Sequence, residues 1–411
     1  MTVAGIVAEY NPFHNGHKTQ IEYIKSNLGV DYVVIVMSGN FTQRGTPAMM
    51  DKYSRTEIAL NSGADLVLEL PLYYSVSSAE YFGSGAVALL DKLGVVNYLC
   101  FGSESGNIDI ISDVAKILNT KSGQLDSLIK TKIKQGLSYP VARSQAIGEI
   151  IPNSYEHVDA MNYPNNILGI EYIKAINKRK SSMIPYTNKR VGSGYHDRMV
   201  SNTLSSALAI RQSVESNKSI KMISELVPDY CYKYMDENYN KTFPVWSNDI
   251  SSMLKYKLLL DAGKGYTEYV DVNKDLSDKI KKNLNKYVSF EQFCDLLKSK
   301  DVTYARVSRC LIHILLNIKK DNLKKFVAND YAMYARILGL KKEASPLLNA
   351  IKKESKIPLI SKLADARNIL DEDAMKMLES DIEAAHIYDT IITDKFEFAT
   401  TSEFQRKIIT I

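Results

Sequence analysis

Cysteine is scarce in this 411-residue chain, which holds only Cys100, Cys231, Cys294 and Cys310, with no C-x-x-C pair. That scatter excludes a disulfide framework and a thiolate zinc site. Cys100 lies inside an apolar run and reads as core packing. No apolar run approaches the roughly 20 residues that a membrane-spanning helix needs. The start of the chain lacks a basic n-region and a long apolar h-region, so a cytoplasmic protein with no membrane partner is expected. Charge of one sign is missing too. The chain has 52 Lys and Arg against 47 Asp and Glu, a net charge of +5. Any nucleic-acid surface must therefore be a local patch. Histidine is rare, and His157, His196 and His386 have no partners at metal-ligand spacing, so they read as structural and no metal site is assigned. There is no internal repeat and no low-complexity tract. What is present is an ordinary globular composition, 45% apolar and 24% charged, in a chain long enough for two or three domains.

The first hundred residues alternate between two patterns. Residues 3–7 (VAGIV), 32–37 (YVVIVM), 66–70 (LVLEL) and 95–101 (VVNYLCF) are short apolar runs that suit strands buried on both faces. Between them, residues 19–27, 52–61 and 79–92 repeat at helical spacing. Strand and helix in alternation predict an α/β fold, a Rossmann-like, doubly wound parallel sheet. Ligands of such sheets bind beyond the carboxyl ends of the strands, so the loops YNPFHNGH, SGNFTQRG and GSESG are expected to carry the chemistry. Residues 108–178 read as mostly helical, with Pro164 placed for a first helical turn. Residues 183–186 are expected to add a last strand. From about Leu204 the pattern is helical almost to the end, broken by Pro228, Pro244, Pro346 and Pro358. A boundary near residue 200, in the polar stretch VGSGYHDRMVSN, divides a catalytic domain (1–200) from a mostly α-helical C-terminal domain (201–411).

The most informative segment is His14-Asn15-Gly16-His17, which follows a strand and opens a helix whose Ile21, Ile24 and Leu28 share one face. A helix start offers unpaired amides and the positive end of the dipole to an anion. Gly16 removes a side chain where backbone must come close to phosphate. Two imidazoles add donors that can follow charge developing on a leaving pyrophosphate. A single histidine here would read as a helix cap. The pair at i and i+3, with glycine between and the Asn11-Pro12 turn before, points to nucleotide chemistry.

Other candidates follow from position. Arg44 leaves the second strand, with Lys52 and Arg55 a turn apart on the next helix, and arginine matches phosphate with a planar fork. Gly102-Ser103-Glu104 follows the fourth strand, where a glycine lets an adenine or ribose lie against backbone. Asn165 and Asn166 stand at a predicted helix start, where they either cap it or read a base edge or ribose hydroxyl. Arg190 ends the last predicted strand and is placed to neutralise a triphosphate. In LSSALAIRQS, serine hydroxyls at a helix start precede Arg211, a second phosphate cradle or a capped surface helix. In residues 302–318, Val307, Leu311, Ile314, Leu315 and Ile318 share one face, while Arg306, Arg309 and His313 share another. Residues 319–356 hold ten Lys/Arg against four Asp/Glu, with Tyr304, Tyr331 and Tyr334 interleaved. Arg306 and Arg309 ahead of that basic block are read as RNA-backbone contacts.

With these residues in place, the chain resembles the HIGH-type nucleotidyltransferase superfamily. The ordered strings AEYNPFHNGH, SGNFTQRG, DLVLELP, FGSE and PNNILG resemble one member of it, the bacterial tRNA(Met) cytidine acetate ligase family. The resemblance implies ATP-dependent activation of acetate as acetyl-adenylate. The acetyl group then passes to N4 of the wobble cytidine of elongator tRNA(Met), giving N4-acetylcytidine. It implies an ATP cradle of Val7, Ala8, Glu9, Tyr10, Asn11, Pro12, Phe13, His14, Asn15, Gly16, His17, Lys18, Thr19 and Gln20. It also implies Gly102, Asn165 and Arg190 as further ATP contacts, with His14 and His17 as the catalytic pair. Ala8-Glu9 replaces the Gly-Thr or Gly-Ser usual in the superfamily. The second superfamily signature is reduced to SSALAIR, with Leu208 and Ala209 where a hydroxyl is expected, so only Arg211 carries over. Mg²⁺ on the phosphates is expected, although no motif forms a metal site. Two alternatives remain open on the residues: a small-molecule adenylyltransferase, and a non-catalytic RNA-binding protein with a relict nucleotide fold.

Overall fold

In a computed structural model, which describes residues 1–137, 139–151, 155–190 and 205–411, the apolar runs become the strands of one sheet. β1 (Val3–Ala8), β2 (Tyr32–Ser38), β3 (Leu66–Leu70), β4 (Tyr98–Ser103) and β5 (Ile184–Lys189) pair in parallel, in the order β5-β4-β1-β2-β3. Helices Asn15–Leu28, Lys52–Asn61 and Ala79–Lys92 connect the first four strands. This is the predicted doubly wound α/β fold.

Alternation along the strands explains why the runs look continuously apolar. Val34 and Val36 face one core together with Leu66, Leu68, Leu99 and helix Ala79–Lys92. Val33, Ile35 and Met37 face the other, with Ile21 and Ile24 of the His14 helix. Both faces are covered, so neither needs polar residues. Strand order reverses at β1, whose neighbours are β2 on one side and β4 on the other. That reversal is the switch point at which such sheets bind ligands.

The second half is mostly helical but also contributes three strands. β6 (Ala335–Leu340) pairs antiparallel with β3, and β7 (Leu359–Ile360) and β8 (Ile409–Thr410) pair in parallel with β6. β6 was not anticipated. Its sequence, ARILGL, is buried at all six positions and so shows no alternation, and it sits within the Lys-rich stretch read as helical. The boundary expected near residue 200, and His196, lie outside the described residues. No helix among the described residues is long and apolar enough to cross a membrane.

Beside β3 the sheet buries a charged cluster. Lys52 Nζ lies 2.9 Å from Glu69 and 3.0 Å from Glu403, and Arg336 pairs with both carboxylates. Arg55 is fully buried and donates to the carbonyls of Glu9 (2.6 Å), Ser38 (3.1 Å), Met50 (3.0 Å) and Gly39. Lys52 and Arg55 are therefore structural. Their spacing on the helix suggests phosphate contacts, but both are buried against protein partners, most of them distant in sequence.

Candidate nucleotide site

The loops that leave β1, β2, β4 and β5 converge on a cavity of about 1140 Å³ at the carboxyl edge of the sheet. The His14 turn forms one wall, and its geometry is local. His14 is the N-cap of helix Asn15–Leu28, with extended backbone, and its Nδ1 accepts from the Gly16 amide at 3.1 Å. His17 Nδ1 accepts in return from the His14 amide at 3.3 Å. The two histidines thus form a reciprocal cap of the kind usually built from Ser and Glu. Their rings stack with centroids 3.7 Å apart. A Cβ at Gly16 would lie 3.0 Å from His14 Cε1, so this glycine makes room for the His14 ring.

Both imidazoles are neutral. Burial, with the charge of Arg190 second, pushes His14 down to about 3. Burial, then His14 and Arg190, holds His17 well below its ordinary value. Because each Nδ1 accepts an amide hydrogen, each ring carries its proton on Nε2. The turn therefore presents two neutral N–H donors that stay in one state near pH 7.

Of the residues the resemblance implied for ATP, Val7, Ala8, Glu9, Tyr10, Asn11, His14, His17 and Gln20 line the cavity. Gly102, Asn165 and Arg190 line it as well. Pro12, Phe13, Asn15, Gly16, Lys18 and Thr19 lie off its wall. Asn15 donates from its side chain to the Glu225 carbonyl at 2.8 Å. Lys18 pairs with Glu22 at 3.8 Å on the exposed face of the helix. These residues shape the turn without facing the cavity.

The loops are locked to one another. The Glu9 carboxylate accepts from the Gln43 amide at 2.6 Å, which ties the first loop to the second and sets exposed Arg44 at the mouth. Glu104 accepts from the Asn166 amide at 2.9 Å and the Asn165 side chain at 2.6 Å. It so places a carboxylate at the start of helix Pro164–Arg179, where the dipole favours it. Asn166 Oδ1 accepts from the amides of Glu104 and Ser105 at 3.0 and 3.2 Å. Asn165 and Asn166 both serve this lock. Gly169 lies behind it, where a Cβ would come within 2.4 Å of the Phe101 ring.

The second half of the chain closes the cavity. Ser206 caps helix Ala207–Asn217, accepting from the Ala209 amide at 3.2 Å, and Ser206, Ala207 and Leu208 line the wall. Arg211 lines it too and donates to the Asn11 carbonyl. Burial lowers Arg211 to about 10, which leaves it a cation at neutral pH. Arg309 of helix Tyr304–Leu315 also lines the cavity, whereas Arg306 does not. Phe82 and Tyr172 supply an aromatic wall that carried no sequence signal, since each sits in an ordinary amphipathic helix.

The basic block at 319–356 is partly drawn into the fold, and six of its ten basic side chains (Lys324, Lys325, Lys342, Lys352, Lys353 and Lys356) stay exposed. Lys319 pairs with Glu268, Lys325 with Asp373, and Lys341 with Asp65. Lys324 and Lys353 pair with near neighbours, and Lys320 donates to the carbonyls of Thr267 and Val272. Arg336 belongs to the buried cluster, and the Tyr334 hydroxyl donates to Asp381. Lys342, Lys352 and Lys356 are the basic side chains of the block left without such a pairing among the described residues.

Comparison with known proteins agrees with this geometry. The family model for HIGH nucleotidyl transferases matches residues 1–403. A tRNA(Met) cytidine acetate ligase of Clostridium novyi is 40% identical over 391 residues, covering 95% of this chain and 96% of its own. One from Fervidobacterium nodosum is 35% identical, covering 99% and 97%. Thermotoga maritima TmcAL, crystallised with alpha-thio ATP, superposes with a TM-score of 0.91 at 29% identity, covering 100% of this chain and 99% of that one.

Proposed function

The chain belongs to the tRNA(Met) cytidine acetate ligase family, and from that premise we propose that its cavity binds ATP and acetate and joins them as acetyl-adenylate. The acetyl group is then delivered to N4 of the wobble cytidine of elongator tRNA(Met), forming N4-acetylcytidine. The observation that carries the reading is the pair of stacked, neutral histidines at the switch point of the sheet, facing a cavity shared with Arg44, Arg190 and Arg211. The cavity is larger than the roughly 300–1,000 Å³ of an ordinary small-molecule pocket. That volume suits a reaction in which a second reactant must meet a bound nucleotide.

In the first step an acetate oxygen attacks the α-phosphorus in line, a new P–O bond forms, and pyrophosphate departs with the electrons of the broken bond. His14 and His17 donate from Nε2 to the phosphate oxygens on which charge develops. As N–H donors they stabilise that charge without transferring a proton. In the second step the cytidine N4 attacks the acyl carbon and AMP leaves, with the amine proton lost to solvent. No covalent enzyme intermediate is required, and catalysis rests on positioning and charge stabilisation. Acetate is so small that its selectivity must come from exclusion of larger acids by a closed pocket.

Mg²⁺ is proposed to enter on the triphosphate, whose oxygens suit a hard cation. Residues 1–200 are proposed as the ATP-binding catalytic part and 201–411 as a contributor to tRNA binding, with Arg306 as a backbone contact. A cytoplasmic location follows from the same substrates. The test is incubation with ATP, labelled acetate and elongator tRNA(Met). Label recovered as N4-acetylcytidine is the expected result. Labelled adenylate without transfer would leave the RNA target open, and the absence of both products would refute the reading.

A further inference from the structure

Arg309 belongs to the half of the chain read from sequence as RNA-binding, yet its side chain faces the cavity of the His14 turn. The packing that puts it there is tight. Gly45 has φ +74, and a Cβ at that position would come within 2.4 Å of the Arg309 amide nitrogen. Ser308 Oγ donates to the Gly45 carbonyl at 2.7 Å, fully buried. Helix Tyr304–Leu315 is thereby clamped onto the Gln43-Arg44-Gly45 loop, and only glycine permits so close an approach.

The guanidinium so delivered is poorly satisfied by the protein. Its side chain is 15% exposed, its nearest carboxylate is Asp271 at 4.0 Å, and Nε has no hydrogen-bond partner among the described residues. Arg211, by contrast, is held by the Asn11 carbonyl, and Arg55 by four carbonyls. Nε is closed off beside Asp271, and no hydrogen bond among the described residues holds the Nη groups, so these are the donors that an anion in the cavity can complete.

We infer that Arg309 binds the phosphates of ATP, joining Arg44 and Arg211 among the cations that line the cavity of the His14 turn. It therefore serves acetate activation and not tRNA docking. This rests on the reading of the cavity as an ATP and acetate site. It makes the first half-reaction depend on a residue from the second half of the chain.

Acetate-dependent exchange of labelled pyrophosphate into ATP, measured without tRNA, separates the two roles. For Arg309→Gln the KM for ATP should rise roughly 10- to 100-fold, the scale of losing a charge-assisted hydrogen bond. tRNA affinity should stay at the wild-type value. Arg309→Lys keeps the charge and the aliphatic stem but loses the fork, and should fall between the two. If Arg309→Gln fails to fold, the lysine variant decides, and a wild-type KM for ATP in that variant overturns the inference. Unchanged exchange with weakened tRNA binding in Arg309→Gln overturns it as well. Wild-type protein unable to exchange at all would refute the proposed function. Wild-type exchange beside an unimpaired Arg309→Gln refutes the inference alone.

Discussion

The His14–His17 turn at the end of β1 and the Lys52–Glu69–Arg336–Glu403 cluster beside β3 are buried to nearly the same degree, with His14 at 4%, Lys52 at 0% and Glu403 at 2% exposure. One is neutral and borders a cavity; the other is fully charged and packed among its own counter-ions. In the cluster each charge is neutralised by a partner on another element: helix Lys52–Asn61, β3, β6 and the C-terminal segment. That arrangement fixes how the second half seats on the sheet. At the turn, burial is endured by keeping the imidazoles uncharged, which leaves donor capacity for something outside the protein. The cluster's buried charges hold the fold, while the donors of the turn face the cavity.

Breaking the cluster should have the largest effect. Arg336→Ala leaves two buried carboxylates with one lysine, and removing one partner of such an array typically costs about 3–5 kcal/mol. Urea unfolding should register that loss, while exchange activity per folded molecule stays near wild type. A loss below about 1 kcal/mol would show that the cluster does not anchor β6 and the C-terminal segment.

Acid should separate the two regions more gently. His14 has its folded pKa depressed from 6.5 to about 3. Its contribution is fully present above pH 6.5 and is lost as the pH falls from there toward 3, because only the unfolded chain takes up the proton. Glu403 is pushed down from 4.5 to about 2, with burial opposing and Lys52 and Arg336 prevailing. Its contribution holds above pH 4.5 and is lost as the pH falls toward 2. Unfolding free energy measured against pH should therefore flatten between 6.5 and 3 in His14→Ala, but only below 4.5 in Glu403→Gln. Identical windows in the two variants would erase the distinction.

The smallest effect is expected at Arg306, which has no ion-pair partner among the described residues and does not line the cavity. Arg306→Gln should weaken tRNA binding a few-fold and reduce the slope of log affinity against log salt by about one. An unchanged slope would remove it from the RNA surface.

The sheet was legible because strands buried on both faces read as uninterrupted apolar runs, and residues 66–70 match β3 to the residue. The His14 turn was legible because its capping is local, closed within four residues. Long-range pairing was not. Lys325 finds Asp373, Lys341 finds Asp65, and Lys52 finds Glu403, partners that no spacing rule brings together. A basic run therefore looked like one continuous surface, although Arg336 is buried in the fold and Lys319, Lys320 and Lys341 are half-buried against distant partners. Arg309 shows the same limit. Helical periodicity put it on a face with Arg306 and His313, but it could not say that Arg309 meets the Gly45 loop or that His313 is fully buried between the carbonyls of Val270 and Val76.

The most direct test of the account is acetate-dependent pyrophosphate–ATP exchange in His14→Ala, measured beside its unfolding free energy. Removing neutral donors preorganised for the transition state should lower exchange roughly 10²–10³-fold. Stability should fall only by about 1 kcal/mol, the scale of a lost helix cap. Exchange that survives in a folded His14→Ala protein would contradict the assignment of this turn to acetate activation.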